Sequence, residues 1–366
     1  MTDPRVEKMA DLLVRYSCKV QPGQLVSVSG GEAARPLIAA LHRRILEARA
    51  FPRINMVPDG LDKAFYDLAD ENQLQWTDPV LRYEYENCDH LIRIMAETNT
   101  KALTSVDPAR QQLAGKARRP LREIMVQRDR WALTLFPTNA YAQDAEMSLA
   151  EFEDFVFSAC FLDRPDPVAE WTRLEARQQR IADALNQAKE IRLIGPDTDL
   201  TLGVAGRKWL NSSATHNIPS GEVFTGPVED AVNGRIRYSF PIVAFGREMD
   251  DIRLTFRDGR VTEASAAKNE EFLIKMLDSD PGARVLGELG IGTNYGIRRH
   301  IKNILFDEKI GGSIHTAVGS SYPQTGGRNV SALHWDLIKD LRTDGEIRVD
   351  GRPFQRNGRF LEHEIG

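Results

Sequence analysis

Seven histidines serve 366 residues, and three of them, His300, His315 and His334, lie close together in the last third of the chain. The tightest chemical pattern there is His334-Trp335-Asp336. Residues two apart on a strand face the same way, so this imidazole and carboxylate can converge on one ion. A His-x-Asp by itself is common by chance, and its neighbourhood is what gives it weight. Upstream, Gly312-Ser-Ile-His315-Thr-Ala-Val-Gly319 sets an imidazole in a strand-like run between glycines. Further upstream come Asp307-Glu308, Gly287-Glu288-Leu-Gly290 and Ser220-Gly221-Glu222-Val-Phe-Thr225. Glu222 and Glu288 are single acids in glycine-flanked apolar segments, costly to bury unless paired or bound to metal. Taken singly, each reads equally well as an exposed loop acid.

Together these residues offer four to five carboxylates and two histidines. That mix suits a pair of divalent ions, zinc, cobalt or manganese, bridged by carboxylates. No cysteine joins the set, which argues against a structural zinc. Two such ions can hold a bridging water, lower its pKa and polarise a carbonyl for hydrolysis. The other histidines read differently: His42 lies in an amphipathic helix, His90 opens a strand, and His363 sits in the tail.

At these segments the chain resembles the aminopeptidase T-like metallopeptidases, dimetal leucyl-type aminopeptidases. The resemblance rests on Asn217-Ile-Pro-Ser-Gly-Glu-Val-Phe-Thr, Leu286-Gly-Glu-Leu-Gly-Ile-Gly-Thr-Asn, Ile304-Leu-Phe-Asp-Glu-Lys-Ile-Gly-Gly, Ser321-Tyr-Pro-Gln-Thr-Gly-Gly and Ser331-Ala-Leu-His-Trp-Asp, in that order. It implies that Glu222, Glu288, Glu308, His315, His334 and Asp336 are metal ligands, with Glu288 a bridge between two ions. It implies that Tyr322 either ligates an ion or hydrogen-bonds the oxyanion of the tetrahedral intermediate; a packed aromatic beside Pro323 is the alternative. Glu288 or Glu222 is then the general base, and His300 no ligand. The resemblance further implies homodimers with enclosed sites that act on short peptides. A related scaffold is expected to host ring-opening dioxygenases for dihydroxypyridines, which need one ferrous ion on two histidines and a carboxylate. A silent scaffold that kept the fold would show an empty or single-metal site.

The elements that must position these residues fall into two textures. Up to about residue 187, helical and strand patterns alternate. Val6 to Val20 and Ala34 to Ala50 carry helical stripes, and strands are expected at Gln24–Gly30, Pro52–Pro58, from His90 and from Trp131. Such alternation predicts a βαβ arrangement with a largely parallel sheet, an α/β scaffold domain over 1–187. A long polar helix over Val168 to Lys189 leads into short strands punctuated by Asn233-Gly234, Asp258-Gly259, Asp344-Gly345 and Asp350-Gly351, with one helix from Asn269 to Asp278. This predicts a strand-rich α+β catalytic domain over 188–366.

Other classes are disfavoured. Gly30-Gly31 follows a strand, but the dinucleotide fingerprint and the phosphate-binding loop are both missing. The net charge of −5 gives no field that attracts nucleic acid. The basic run Lys116, Arg118, Arg119, Arg122, Arg128 and Arg130 reads as the solvated face of a helix. Cys18, Cys88 and Cys160 are odd in number, far apart and set among apolar neighbours, so no disulfide framework is expected. With no signal-peptide pattern and no apolar run long enough for a membrane span, the sequence reads as cytoplasmic.

Overall fold

The computed structural model describes residues 3–244 and 247–365. It divides into two compact units, Met1–Trp171 with Ala214–Pro219, and Thr172–Ser213 with Ser220–Gly366.

The first unit is built on a five-stranded sheet in the order Phe51–Val57, Leu25–Gly31, His90–Met95, Trp131–Leu135, Asn217–Ile218, with every pairing parallel. Its central strands bury Val26, Val28, Ile92 and Ile94, alternate residues in register that share one face of the sheet. The helix Arg35–Glu47 turns Leu37, Ile38, Leu41 and Ile45 inward at helical spacing. The helix expected over Val6 to Val20 is Pro4–Leu12, capped by the Asp3 side chain, and a π-helical turn over Leu13–Ser17 continues it. The basic run lies on the helix Pro108–Arg128, where Lys116, Arg118, Arg119 and Arg122 are exposed.

The second unit holds the strand-rich texture. An eight-stranded antiparallel sheet and a five-stranded antiparallel sheet share one apolar core, in which Leu193, Leu200, Ile236 and Phe256 meet Val223, Leu289, Ile291 and Leu337. The helix Glu270–Leu277 interrupts the strands.

The division falls at Trp171/Thr172, inside the helix Pro167–Leu185, not near residue 187. Ile181, Ala182 and Leu185 explain the difference, because they bury in the core of the second unit. A polar helix gives no sequence signal of which core its few apolar residues join. Ala214–Pro219 returns to the first unit because Asn217–Ile218 pairs with the strand Trp131–Leu135. Asn233-Gly234 is not a turn: Gly234 lies within the strand Val232–Arg237 at φ 121°. A Cβ there would stand 2.2 Å from the Asp199 carbonyl oxygen, so this glycine serves close strand approach. Asp258-Gly259 and Asp350-Gly351 do turn hairpins. Among the described residues, no helix is long and apolar enough to cross a membrane.

Candidate metal centre

The five-stranded sheet of the second unit runs His334–Asp340, Ser313–Gly319, Leu286–Gly292, Glu222–Thr225, Leu210–Ser212. Its register pairs Asp336 with Ala317, Ala317 with Glu288, His315 with Gly290, and Gly292 with Glu222. Directly paired residues share a face, as do residues two apart, so Glu222, Glu288, His315, His334 and Asp336 all project from one face. The intervening Val223, Leu289, Ile291, Ile314, Val318, Trp335 and Leu337 pack into the core on the other. The alternation of two residue classes along these strands is what assembles the site.

Gly290 makes room for one of its members. A Cβ built there would lie 2.0 Å from His315 Cε1 and 2.2 Å from its Nε2, so the imidazole lies flat across the neighbouring strand only because glycine faces it. Glu308 arrives from outside the sheet, at the end of the short helix Ile304–Asp307.

Each imidazole is oriented by its Nδ1, which donates to the Glu308 carbonyl oxygen at 3.1 Å in His315 and to the Ser320 carbonyl oxygen at 2.8 Å in His334. That fixes the tautomer and turns both Nε2 atoms inward. His315 Nε2 is 3.4 Å from Glu288 Oε1, and His334 Nε2 is 3.2 Å from Glu288 Oε2. Glu288 therefore spans the two imidazoles, one oxygen to each. His315 Nε2 is also 3.5 Å from Glu222 Oε2, and His334 Nε2 is 3.7 Å from Asp336 Oδ2. Glu288 with His334 and Asp336, and Glu308 with His315 and Asp336, each bring ligand atoms within 4.8 Å of one another. Asp336 belongs to both sets.

The electrostatics fit cations. Burial pushes the Glu222, Glu308 and Asp336 carboxyls above their ordinary range, and repulsion from neighbouring acids adds to it. Glu288 goes the other way: burial opposes its ionisation, but hydrogen bonds from His315 and His334 hold it down at about 2. Burial disfavours protonation of the two imidazoles, yet Glu288, Glu222 and Asp336 raise His315 to about 10, and Asp336 and Glu288 raise His334 to about 10. Glu222 Oε2 is buried and makes no hydrogen bond among the described residues. Among the described residues Lys309 is the lysine paired with this set, so the four carboxylates, if all ionised beside neutral imidazoles, would carry three negative charges in excess. Imidazole nitrogens and carboxylate oxygens that converge with excess negative charge fit divalent ions.

Tyr322 stands beside this set, its ring edge-on to His334 at 5.2 Å and to Phe224 at 5.5 Å between centroids. His300 lies outside both sets: its Nε2 is 3.2 Å from Asp307 Oδ2, its ring stacks on Phe240, and burial lowers its pKa to about 4. Lys309 escaped the sequence reading. It is fully buried, with Nζ 3.0 Å from Glu222 Oε1 and in contact with Glu308 Oε1. The available signal was a lone lysine between two acids and the apolar, glycine-rich Ile310-Gly311-Gly312. A cavity of about 160 Å³ opens beside His334 and Asp336, walled by Phe240, Ile242, Val243, Ile304 and Ile338.

Comparison with known proteins places this architecture. The chain matches the thermophilic metalloprotease (M29) family over residues 2–360. It is 30% identical to Aminopeptidase 2 of Geobacillus stearothermophilus, with 98% of each chain covered. It is 27% identical to Aminopeptidase T of Thermus aquaticus, over 97% of this chain and 98% of that one. Among solved structures, wild-type AmpT from Thermus thermophilus superposes with a TM-score of 0.86 at 24% identity, over 98% of this chain and 99% of that one. The 2,5-dihydroxypyridine dioxygenase of Pseudomonas putida KT2440 shares the fold at a TM-score of 0.62 and 15% identity, over 99% of this chain and 98% of that one. The chain belongs to the thermophilic metalloprotease (M29) family and is a metallo-aminopeptidase.

Proposed function

We propose that this enzyme removes the N-terminal residue of short peptides at a centre of two divalent ions. The observation that carries this reading is the pair of overlapping ligand sets, Glu288–His334–Asp336 and Glu308–His315–Asp336. Asp336 is common to both, and Glu288 reaches both imidazoles, so either carboxylate can bridge. Zinc, cobalt or manganese bound there supplies Lewis acidity toward the peptide carbonyl and an acidified water.

The chain's own residues have separable tasks. Glu222 is the better proton acceptor of the two candidate bases, because burial raises its carboxyl and its Oε2 accepts no hydrogen bond among the described residues, whereas both oxygens of Glu288 face the imidazoles. A base works best with a pKa near the operating pH. Glu222 Oε2, without a hydrogen bond, takes the proton of the attacking water and returns it to the leaving amine. The Tyr322 phenol donates to the oxyanion. The apolar cavity beside His334 receives the side chain of the substrate's first residue.

The dioxygenase likeness is one of fold, and the donor set supports the two-ion reading over a ferrous one. Two histidines and one carboxylate suffice for a ferrous site, whereas here Glu288, Glu308 and Asp336 converge with both histidines, and Glu222 lies beside His315. We place the enzyme in the cytoplasm, where the buried thiols of Cys18, Cys88 and Cys160 stay reduced. We expect a homodimer. The edge strand Phe51–Val57, unpaired on one side among the described residues and exposing Phe51, Ile54, Met56 and Val57, supports that expectation. The test compares leucyl-p-nitroanilide with its N-acetylated form. Cleavage of the free amine alone supports the reading; equal cleavage of both, or oxygen-dependent cleavage of 2,5-dihydroxypyridine, opposes it.

A further inference from the structure

Lys309 is fully buried, and no step above uses it. A buried ammonium loses its hydration, a cost recovered only through well-placed partners. Lys309 has two: Glu222 Oε1 at 3.0 Å and Glu308 Oε1. Its backbone is anchored as well, since its N–H donates to the Phe306 carbonyl oxygen and its own carbonyl accepts from the Asn294 N–H. The ammonium therefore sits at a fixed point. It occupies one oxygen of Glu222 and one of Glu308, and leaves each carboxylate a single oxygen for the site. Glu222 Oε2 is the one left without a hydrogen bond, 3.5 Å from His315 Nε2. Glu308 in turn belongs to the set with His315 and Asp336, not to that with His334.

We propose that Lys309 is a positioning residue of the metal centre, a permanent internal cation that holds one oxygen each of Glu222 and Glu308, leaving Glu222 a single oxygen as base and Glu308 a single oxygen as ligand, and so governs ion binding at the His315 side. The inference rests on the two-ion reading. Removing a partner that orients a metal ligand weakens ion affinity by about 10- to 100-fold. Among the described residues the ion pairs of Lys309 lie on the His315 side, so the loss is confined to one ion of the pair. A merely structural role would weaken both ions together or lower stability alone.

The experiment is a competitive zinc titration of the full-length, chelator-stripped protein against a chromophoric chelator. Wild type is compared with K309M and with K309Q, whose neutral amide keeps N–H donors and suits a buried site where methionine fails to fold. Expected are two ions in wild type, and in each variant one ion of unchanged affinity and one weakened at least tenfold. Adding H334A to the variant removes the tight ion; adding H315A leaves it. Two ions at wild-type affinity in both variants, or equal weakening of both, would overturn the role of Lys309 and leave the two-ion reading standing. A wild-type chain that takes up fewer than two ions would overturn that reading, and this inference with it.

Discussion

Replacing Gly290 by alanine tests the geometry of the centre without touching a ligand. The new methyl would start 2.0 Å from His315 Cε1, whereas ordinary van der Waals contact begins near 3.4 Å. The imidazole would therefore have to retreat by about 1.4 Å, the difference between those distances. Metal–nitrogen bonds tolerate only ~0.2 Å, so a retreat of that size empties the position. The strand itself suffers less. Gly290 is paired on both sides, to His315 and Phe224, and alanine suits a strand interior better than glycine. Overpacking costs about 1–3 kcal/mol, within reach of a folded protein. G290A should thus melt cooperatively, lose the ion on the His315 side and lose about 10²-fold or more in kcat. Elemental analysis, a thermal melt and leucyl-p-nitroanilide turnover read the three quantities. A G290A protein with full ion content and wild-type kcat would refute the packing argument.

Three further outcomes are expected. Asp336→Asn removes the carboxylate common to both ligand sets, so it should lose both ions where His334→Ala loses one; two retained ions after either change would count against the assignment. Imidazoles raised to about 10 in the ion-free protein stabilise it fully below their unfolded pKa of about 6.5 and lose that contribution as pH rises toward 10. Ion binding must displace those protons and so tightens over the same interval. The Tm gap between ion-loaded and chelated protein should therefore widen from pH 6.5 to 9; a constant gap would contradict it. Ile304 is 41% exposed at the cavity wall, so Ile304→Glu should fold normally yet lower kcat/KM for leucyl substrates by about tenfold or more, with little change for alanyl ones. Equal effects on both substrates would remove the cavity from the account.

Much of this was legible because strands write their faces into the sequence. In Glu288-Leu289-Gly290-Ile291 and His334-Trp335-Asp336-Leu337, polar and apolar residues alternate, and the same alternation appears in the structure as one site face and one core face. The parallel sheet of the first unit was legible for a related reason, since strand and helix periods alternate there. What stayed hidden depended on distant contacts. The allegiance of Ile181 and Leu185 and the return of Asn217–Ile218 to the first unit are tertiary facts without a local signal. Asn233-Gly234 misled because a glycine needed for close strand approach has the same spelling as a hairpin turn. Lys309 reads as an ordinary surface cation until Glu222, 87 positions away, is seen beside it.

The measurement that bears most directly on the central claim is metal content per chain by elemental analysis, with peptide turnover followed through chelation and refilling. The account predicts about two divalent ions per chain, activity lost with them, and activity regained on adding zinc, cobalt or manganese. A single iron per chain without aminopeptidase turnover would contradict it.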